Sequence, residues 1–260
     1  MTILDSLAGY ARERVRQAER RVPLEVLRQE AFSLPRGAFP FERALKRAGI
    51  AFICECKKAS PSKGVISPEF PYLQIAREYE AAGADCISVL TEPKWFLGRD
   101  AYLKEIAAAV SLPCLRKDFI VDEYMICEAK TLGASAVLLI CSILTEGQLR
   151  EFMALCDALG LSALVEARDA DEVRLAVEAG ARIVGVNNRD LRDFTVDPKN
   201  GMRLRHLVPD GVLFVSESGI SDAADVAALR ALGVDAVLVG EALMRAVDKK
   251  AKLAELRGGV

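Results

Sequence analysis

Histidine is nearly missing from this chain: His206 is the only one among 260 residues. It falls in a stretch that reads as helix, 198–207, and is expected at the surface. Imidazole is the usual general base and a frequent zinc ligand, so its scarcity argues against a zinc hydrolase and a Ser-His-Asp triad. Long apolar runs are missing as well. Ala136–Ile140 is far short of the ~20 residues a membrane-spanning helix needs, and the first residues lack the basic start and long apolar core of a cleavable signal. Neither sign of charge is in excess: 35 Lys and Arg stand against 37 Asp and Glu, a net charge of −2. Nucleic acid, whose phosphates demand a basic face, is therefore not an expected partner, although a small anion could be met locally. No linker offers a place to divide the chain, so a single domain over 1–260 is expected, with disorder only at the Gly258–Val260 tail.

The seven cysteines are an odd number and sit mostly inside apolar runs. That suits reduced, buried thiols in a cytoplasmic protein better than a disulfide framework. Cys54 and Cys56 have no second Cys pair or His cluster beside them, so packing is their expected role and no metal site is expected.

What is present is a repeat. Gly83-Ala-Asp-Cys-Ile-Ser-Val-Leu90, Gly133-Ala-Ser-Ala-Val-Leu-Leu-Ile140, Gly180-Ala-Arg-Ile-Val-Gly-Val-Asn187 and Gly233-Val-Asp-Ala-Val-Leu-Val-Gly240 recur about fifty residues apart, the length of two βα units. In each, a glycine follows an Ala/Leu-rich helical stretch and precedes a run apolar enough for a strand buried on both faces. Four more strand-like runs lie midway, at Ala51–Lys57, Pro113–Lys117, Ala163–Glu166 and Val212–Ser216. Eight strands alternating with helices predict an α/β fold, a (β/α)8 barrel whose chemistry sits at the strand ends. Helices are expected at 71–81, 101–109, 123–132, 146–158, 170–178, 198–207, 222–231 and 242–249. Residues 1–49 read as an extension on the barrel. It opens with an amphipathic helix over about 2–20, carrying Leu4, Leu7, Ala8, Ala11 and Val15 on one stripe. The stretch Phe32–Phe41 then breaks the helical pattern. After the first strand, the loop Lys58–Pro68 is longer than a structural turn requires.

Side chains at i and i+2 of a strand share a face. If Cys54 and Cys56 face the helices, Glu55 and Lys57 point into the barrel. The same count sends Lys117, Glu166, Asn187 and Glu217 inward from four other strands. Buried charges are costly unless paired or used, so this convergence points to acid–base work by Lys and Glu without a cofactor. Glu217-Ser-Gly-Ile-Ser221 and Val239-Gly-Glu-Ala-Leu243 follow the last two strands and place a glycine beside each expected helix start, where backbone N–H groups can hold a phosphate. Leu90, Phe96, Phe119 and Leu138 are apolar candidates to wall an aromatic substrate.

Taken with Glu55-Cys-Lys57-Lys-Ala-Ser60-Pro-Ser-Lys-Gly64 and Arg116-Lys117-Asp-Phe119-Ile, these motifs resemble the indole-3-glycerol-phosphate synthase family of tryptophan biosynthesis. Val89-Leu-Thr-Glu-Pro-Lys-Trp-Phe96, Val165-Glu166, Val186-Asn187-Asn-Arg189-Asp-Leu191, Ser216-Glu217-Ser218-Gly219-Ile and Val239-Gly240-Glu-Ala-Leu-Met244 extend the likeness over nearly the whole chain. The resemblance implies a cofactor-free carboxy-lyase that closes, decarboxylates and dehydrates 1-(2-carboxyphenylamino)-1-deoxyribulose 5-phosphate. It implies Lys117 as general acid, Glu166 as partner acid/base, and Lys57 sharing acid duty or holding substrate anions. Glu55 and Glu217 match orienting positions. Asn187, of the strand-end set, and Ser60 match substrate-binding positions, with Arg189 a further candidate. Ser218, Gly219, Gly240 and Glu241 would supply phosphate contacts, the Glu241 side chain pointing away. The amphipathic helix and the loop after Lys57 resemble the family's cover over the mouth.

Two other readings compete. An isomerase acting one step earlier, on phosphoribosylanthranilate, would use Cys and Asp rather than Lys and Glu. A non-catalytic barrel sensing a phosphorylated metabolite would keep the two glycines without needing Lys57, Lys117 and Glu166 together. A monomer is expected.

Overall fold

The eight apolar runs form parallel strands, nearly every residue of which is buried: β1 (Ala51–Cys56), β2 (Cys86–Leu90), β3 (Cys114–Lys117), β4 (Ala136–Ile140), β5 (Ser162–Ala167), β6 (Ile183–Asn187), β7 (Leu213–Glu217) and β8 (Ala236–Val239). Each pairs with its neighbour in sequence, and β8 pairs back onto β1 from Ala51↔Ala236 to Cys54↔Val239, which closes the barrel. The structure is a computed structural model describing residues 2–190 and 194–258; Leu191 and the last two residues of the expected tail lie outside the described set. Gly83, Gly133, Gly180 and Gly233 all have positive φ at the helix-to-strand turn, the turn that the repeat predicts.

The helices between strands fall close to expectation. They are α4 (Tyr72–Ala81), α5 (Asp100–Ala109), α6 (Glu123–Thr131), α7 (Glu146–Leu159), α8 (Ala170–Glu178) and α10 (Ala223–Ala231). Two expectations need correction. The stretch 198–207 gives only α9 (Asn200–Leu204), followed by a 3-10 turn over Arg205–Leu207, in which His206 is exposed. The last expected helix, 242–249, is in fact two: α11 (Glu241–Arg245) and α12 (Lys249–Leu256), separated at the fully exposed Val247. Asp248 explains the restart, because its side chain caps the N–H of Ala251.

The extension holds three helices, of which the first is the amphipathic helix expected over about 2–20. In α1 (Ile3–Glu19), Thr2 and Asp5 form a reciprocal capping box, and the buried residues are Leu4, Leu7, Ala8, Ala11 and Val15, the expected stripe. α2 (Leu24–Ser33) runs along α6, and Arg28 on it pairs with Glu123. α3 (Pro40–Leu45) buries Phe41 and Leu45 against β1 and β5, while Arg182, at the entry of β6, holds its Glu42 at 2.8 Å. α3 therefore covers the end where the strands begin. α1 lies at the opposite end, against the turns that follow β2, β3 and β4, through Tyr10–Trp95, Arg14–Asp118 and its packing on the 3-10 turn Cys141–Ile143. The extension thus clasps the barrel from mouth to floor.

Candidate active site

Strand register brings the polar strand ends together. Leu90 sits beside Lys117, Ile140 beside Glu166, and Asn187 beside Glu217, all at the C-terminal rim. Glu55, Lys57, Lys117, Glu166, Asn187 and Glu217 line one cavity of about 410 Å³. Cys54 and Cys56 are absent from that lining and wholly buried, as the inward count requires. All seven cysteines are free and buried, and burial pushes every thiol up, Cys141 to about 12.

The charges form two linked groups. Lys117 Nζ donates to Glu217 Oε2 at 2.8 Å and to Glu166 Oε2 at 3.0 Å, and Lys57 Nζ donates to Glu55 Oε1 at 2.6 Å. Burial by itself would drive the proton off Lys117, but the charges of Glu166, Glu217 and Glu55 outweigh it and raise the ammonium's pKa. Lys117 is therefore protonated at neutral pH. Glu217 is pushed up to about 7, first by burial and then by the charge of Glu166, against the pull of Lys117. Its Oε2 is taken by Lys117, whereas Oε1 is buried with no hydrogen-bond partner among the described residues. Room for that carboxylate comes from Gly185 on β6, where a Cβ would collide with Oε1. Gly240 serves the other group in the same way: a Cβ there would meet Glu55 Oε1 and lie 3.0 Å from Lys57 Nζ.

The apolar wall is made of Leu90, Phe96, Phe119 and Leu138, with the two rings 6.1 Å apart. Phe96 is held by a device that strand alternation did not reveal. The carboxylate of Glu92, 1% exposed, accepts the backbone N–H groups of Lys94, Trp95 and Phe96 at 2.8–2.9 Å. Trp95 turns to α1 instead, its ring edge-on to Tyr10.

Ser60 belongs to a short hairpin, Ala59–Ser60 with Gly64–Val65, which gives the long loop after β1 a structure of its own. Ser60 lines the cavity, and Ser62 in the hairpin turn accepts from Arg189 Nη1 at 3.4 Å. Arg189 also donates to the carbonyl of Phe194, so it ties the loops after β1 and β6 together at the cavity edge. Asn187 Oδ1 accepts from Arg189 N and Ser218 Oγ, which leaves its amide end to offer a ligand.

Ser218, Gly219, Gly240 and Glu241 all line the cavity. Ser218 and Gly219 take consecutive positive φ values, 66° and 74°, so the turn after β7 is sharp. The helix beyond it is not open to a ligand in the expected way, because Asp222 caps the N–H groups of Ala224 and Asp225. By contrast, α11 begins at Gly240 with no side-chain cap, leaving its first-turn N–H groups without one. The Glu241 side chain does not turn wholly away. Its carboxylate stays at the rim, 3.0 Å from Arg245 and 3.6 Å from Lys63, and these cations hold its pKa down against burial. Arg245 also lines the cavity and escaped the strand-end count, which stops at the strand. Among the described residues no cluster of His, Cys, Asp or Glu has metal-ligand geometry, and no helix is long and apolar enough to cross a membrane.

A mouth in which a lysine ammonium sits between buried carboxylates, facing aromatic rings, defines the class: a (β/α)8-barrel enzyme working by acid–base chemistry. Among solved structures, 3-hexulose-6-phosphate synthase from Salmonella typhimurium shares the fold at a TM-score of 0.65 and 18% identity, over 80% of this chain and 97% of the other. Sequence comparison is more specific. The family model for indole-3-glycerol phosphate synthase matches residues 4–256. The synthases of Ruminiclostridium cellulolyticum and Lachnoclostridium phytofermentans are 54% and 48% identical to this chain, covering 98% of it and 99% and 98% of their own lengths. The chain belongs to the indole-3-glycerol phosphate synthase family.

Proposed function

We propose that the chain catalyses the reaction for which its family is named, with Lys117 as the general acid. The substrate is 1-(2-carboxyphenylamino)-1-deoxyribulose 5-phosphate. In the first step the ring carbon bearing the carboxylate attacks the ketose carbonyl carbon, and Lys117 gives a proton to the oxygen as charge develops on it. CO2 then leaves, and the electron pair of the broken bond restores the aromatic ring. In the last step the new hydroxyl is protonated and departs as water, while a base takes a proton from the neighbouring carbon to complete the indole. Glu166 serves that proton traffic in this reading, which its 3.0 Å contact with Lys117 Nζ supports, and Lys57 beside Glu55 is a second ammonium.

Phe96, Phe119, Leu90 and Leu138 suit the anthranilate ring, Ser60, Asn187 and Arg189 the polar middle of the substrate. The turn Ser218–Gly219 and the start of α11 at Gly240–Glu241 suit the phosphate, with Lys63 and Arg245 balancing the Glu241 carboxylate there. A single observation carries the reading: a lysine kept protonated by two carboxylates in hydrogen-bond contact, at the end of a cavity walled by two phenylalanines. Purified protein mixed with the substrate in EDTA should form indole product, followed by absorbance and fluorescence. Lys117→Ala should lower kcat by roughly 10²–10⁴-fold, the range a positioned general acid contributes. A folded Lys117→Ala protein with near wild-type turnover would overturn the assignment.

A further inference from the structure

Beside Lys117 lies a charged cluster that the strand-end count did not anticipate. Asp118 follows Lys117 and precedes Phe119, and its side chain is 0% exposed. Both oxygens are fully engaged. Oδ1 accepts from Arg14 Nη2 at 2.6 Å and from the Phe119 N–H at 2.8 Å; Oδ2 accepts from Thr91 Oγ1 at 2.6 Å and from Arg14 Nη1 at 3.1 Å. Thr91 also donates its backbone N–H to the Lys117 carbonyl at 3.2 Å. Arg14 is on α1, 104 residues away in sequence, and it grips the carboxylate with a two-pronged pair. The guanidinium is itself largely buried and flanked by the ring of Tyr10, 5.7 Å from its centre.

We propose that Arg14 is a positioning residue of the ring closure: acting through Asp118, it fixes the backbone that presents Lys117 and Phe119 to the cavity. The inference rests on Lys117 being the acid. Without Arg14 the Asp118 carboxylate keeps Thr91 and the Phe119 N–H, but its nearest remaining cation is Arg116 at 3.9 Å. Arg116 is committed elsewhere, to Asp100 and Glu128 at 2.8 and 2.7 Å. An uncompensated buried carboxylate relaxes toward water or its next cation, and the residues on either side move with it. Misplacement of an acid by a fraction of an ångström raises the barrier more than it weakens substrate binding.

The test compares Arg14→Ala, Arg14→Lys, Asp118→Asn, Lys117→Ala and Arg28→Ala, with thermal unfolding measured on each. Arg28→Ala is the control, since it removes an exposed pair that also joins the extension to the barrel but reaches no cavity residue. Arg14→Ala should lose about ten-fold or more in kcat with a smaller change in KM. Arg14→Lys, which restores the charge but not the fork, should recover part of the loss, and Arg28→Ala should stay within about two-fold of wild type. If Arg14→Ala does not fold, Asp118→Asn carries the same expectation, because it keeps the size of the side chain and removes the charge that Arg14 grips. A folded Arg14→Ala or Asp118→Asn with kcat within about two-fold of wild type, or an equal loss in Arg28→Ala, overturns the inference while leaving the acid assignment standing. Turnover retained by Lys117→Ala sinks both.

Discussion

Gly240→Ala isolates one close contact at the mouth. The backbone there has φ −111°, away from the left-handed region that only glycine takes easily, so the effect is read from what the added methyl meets. That methyl would overlap Glu55 Oε1 and touch Lys57 Nζ at 3.0 Å and Glu55 Cδ at 3.2 Å. Both side chains are nearly buried and bonded to each other at 2.6 Å, so the pair must move together, by roughly 0.5–1 Å, into the space the substrate would fill. A displacement of that size in a positioned group costs about 10²-fold in rate, or about 2.7 kcal/mol of transition-state stabilisation. Overpacking should also cost about 1–3 kcal/mol of stability, a loss of several degrees in Tm for a chain of this length. The assay is kcat/KM by indole fluorescence, at a temperature well below the variant's Tm. A Gly240→Ala enzyme within about three-fold of wild type would mean that Glu55 and Lys57 tolerate displacement and that their placement does not matter to the reaction.

Further expectations concern the buried carboxylates. Glu217, raised to about 7, binds its proton more tightly folded than unfolded, so its contribution to stability is present below the usual carboxylate range and fades as pH rises to about 7. Glu217→Gln, neutral at every pH, removes that trend: its Tm relative to wild type should climb between pH 5 and 7 and then level, and a flat difference would show that Glu217 titrates normally. Glu92→Gln supplies one acceptor oxygen where three N–H groups need partners, so KM should rise about ten-fold as the Phe96 loop loosens, with kcat less affected. An unchanged KM would show that the loop is held by other contacts.

Much of the molecule was written locally. The αL glycines at 83, 133, 180 and 233 and the doubly buried apolar runs specify eight βα repeats, because a helix end needs a left-handed residue and a covered strand has no polar face. Period-two alternation then assigns Glu55, Lys57, Lys117, Glu166, Asn187 and Glu217 to the interior, since their direction follows from the pleat. The break between α11 and α12 was less legible, as the cap at Asp248 lies within an otherwise helical pattern.

Other features depend on side-chain geometry that periodicity does not carry, near in the chain or far apart, and these only the tertiary structure decided. That Asp222 caps its own helix while the start of α11 has no side-chain cap is settled by side-chain geometry, not by the presence of a glycine. That Glu92 folds back on its own loop, and that an arginine on the edge of α1's apolar stripe reaches Asp118, leave faint signals: a polar residue just past a strand end and a charge beside a buried stripe. Sequence sets which way a side chain leaves its own strand or helix. Which partner it meets is fixed only when the barrel closes and the extension is laid across its mouth, because hydrogen bonds and ion pairs act over ångströms in space and take no account of separation along the chain.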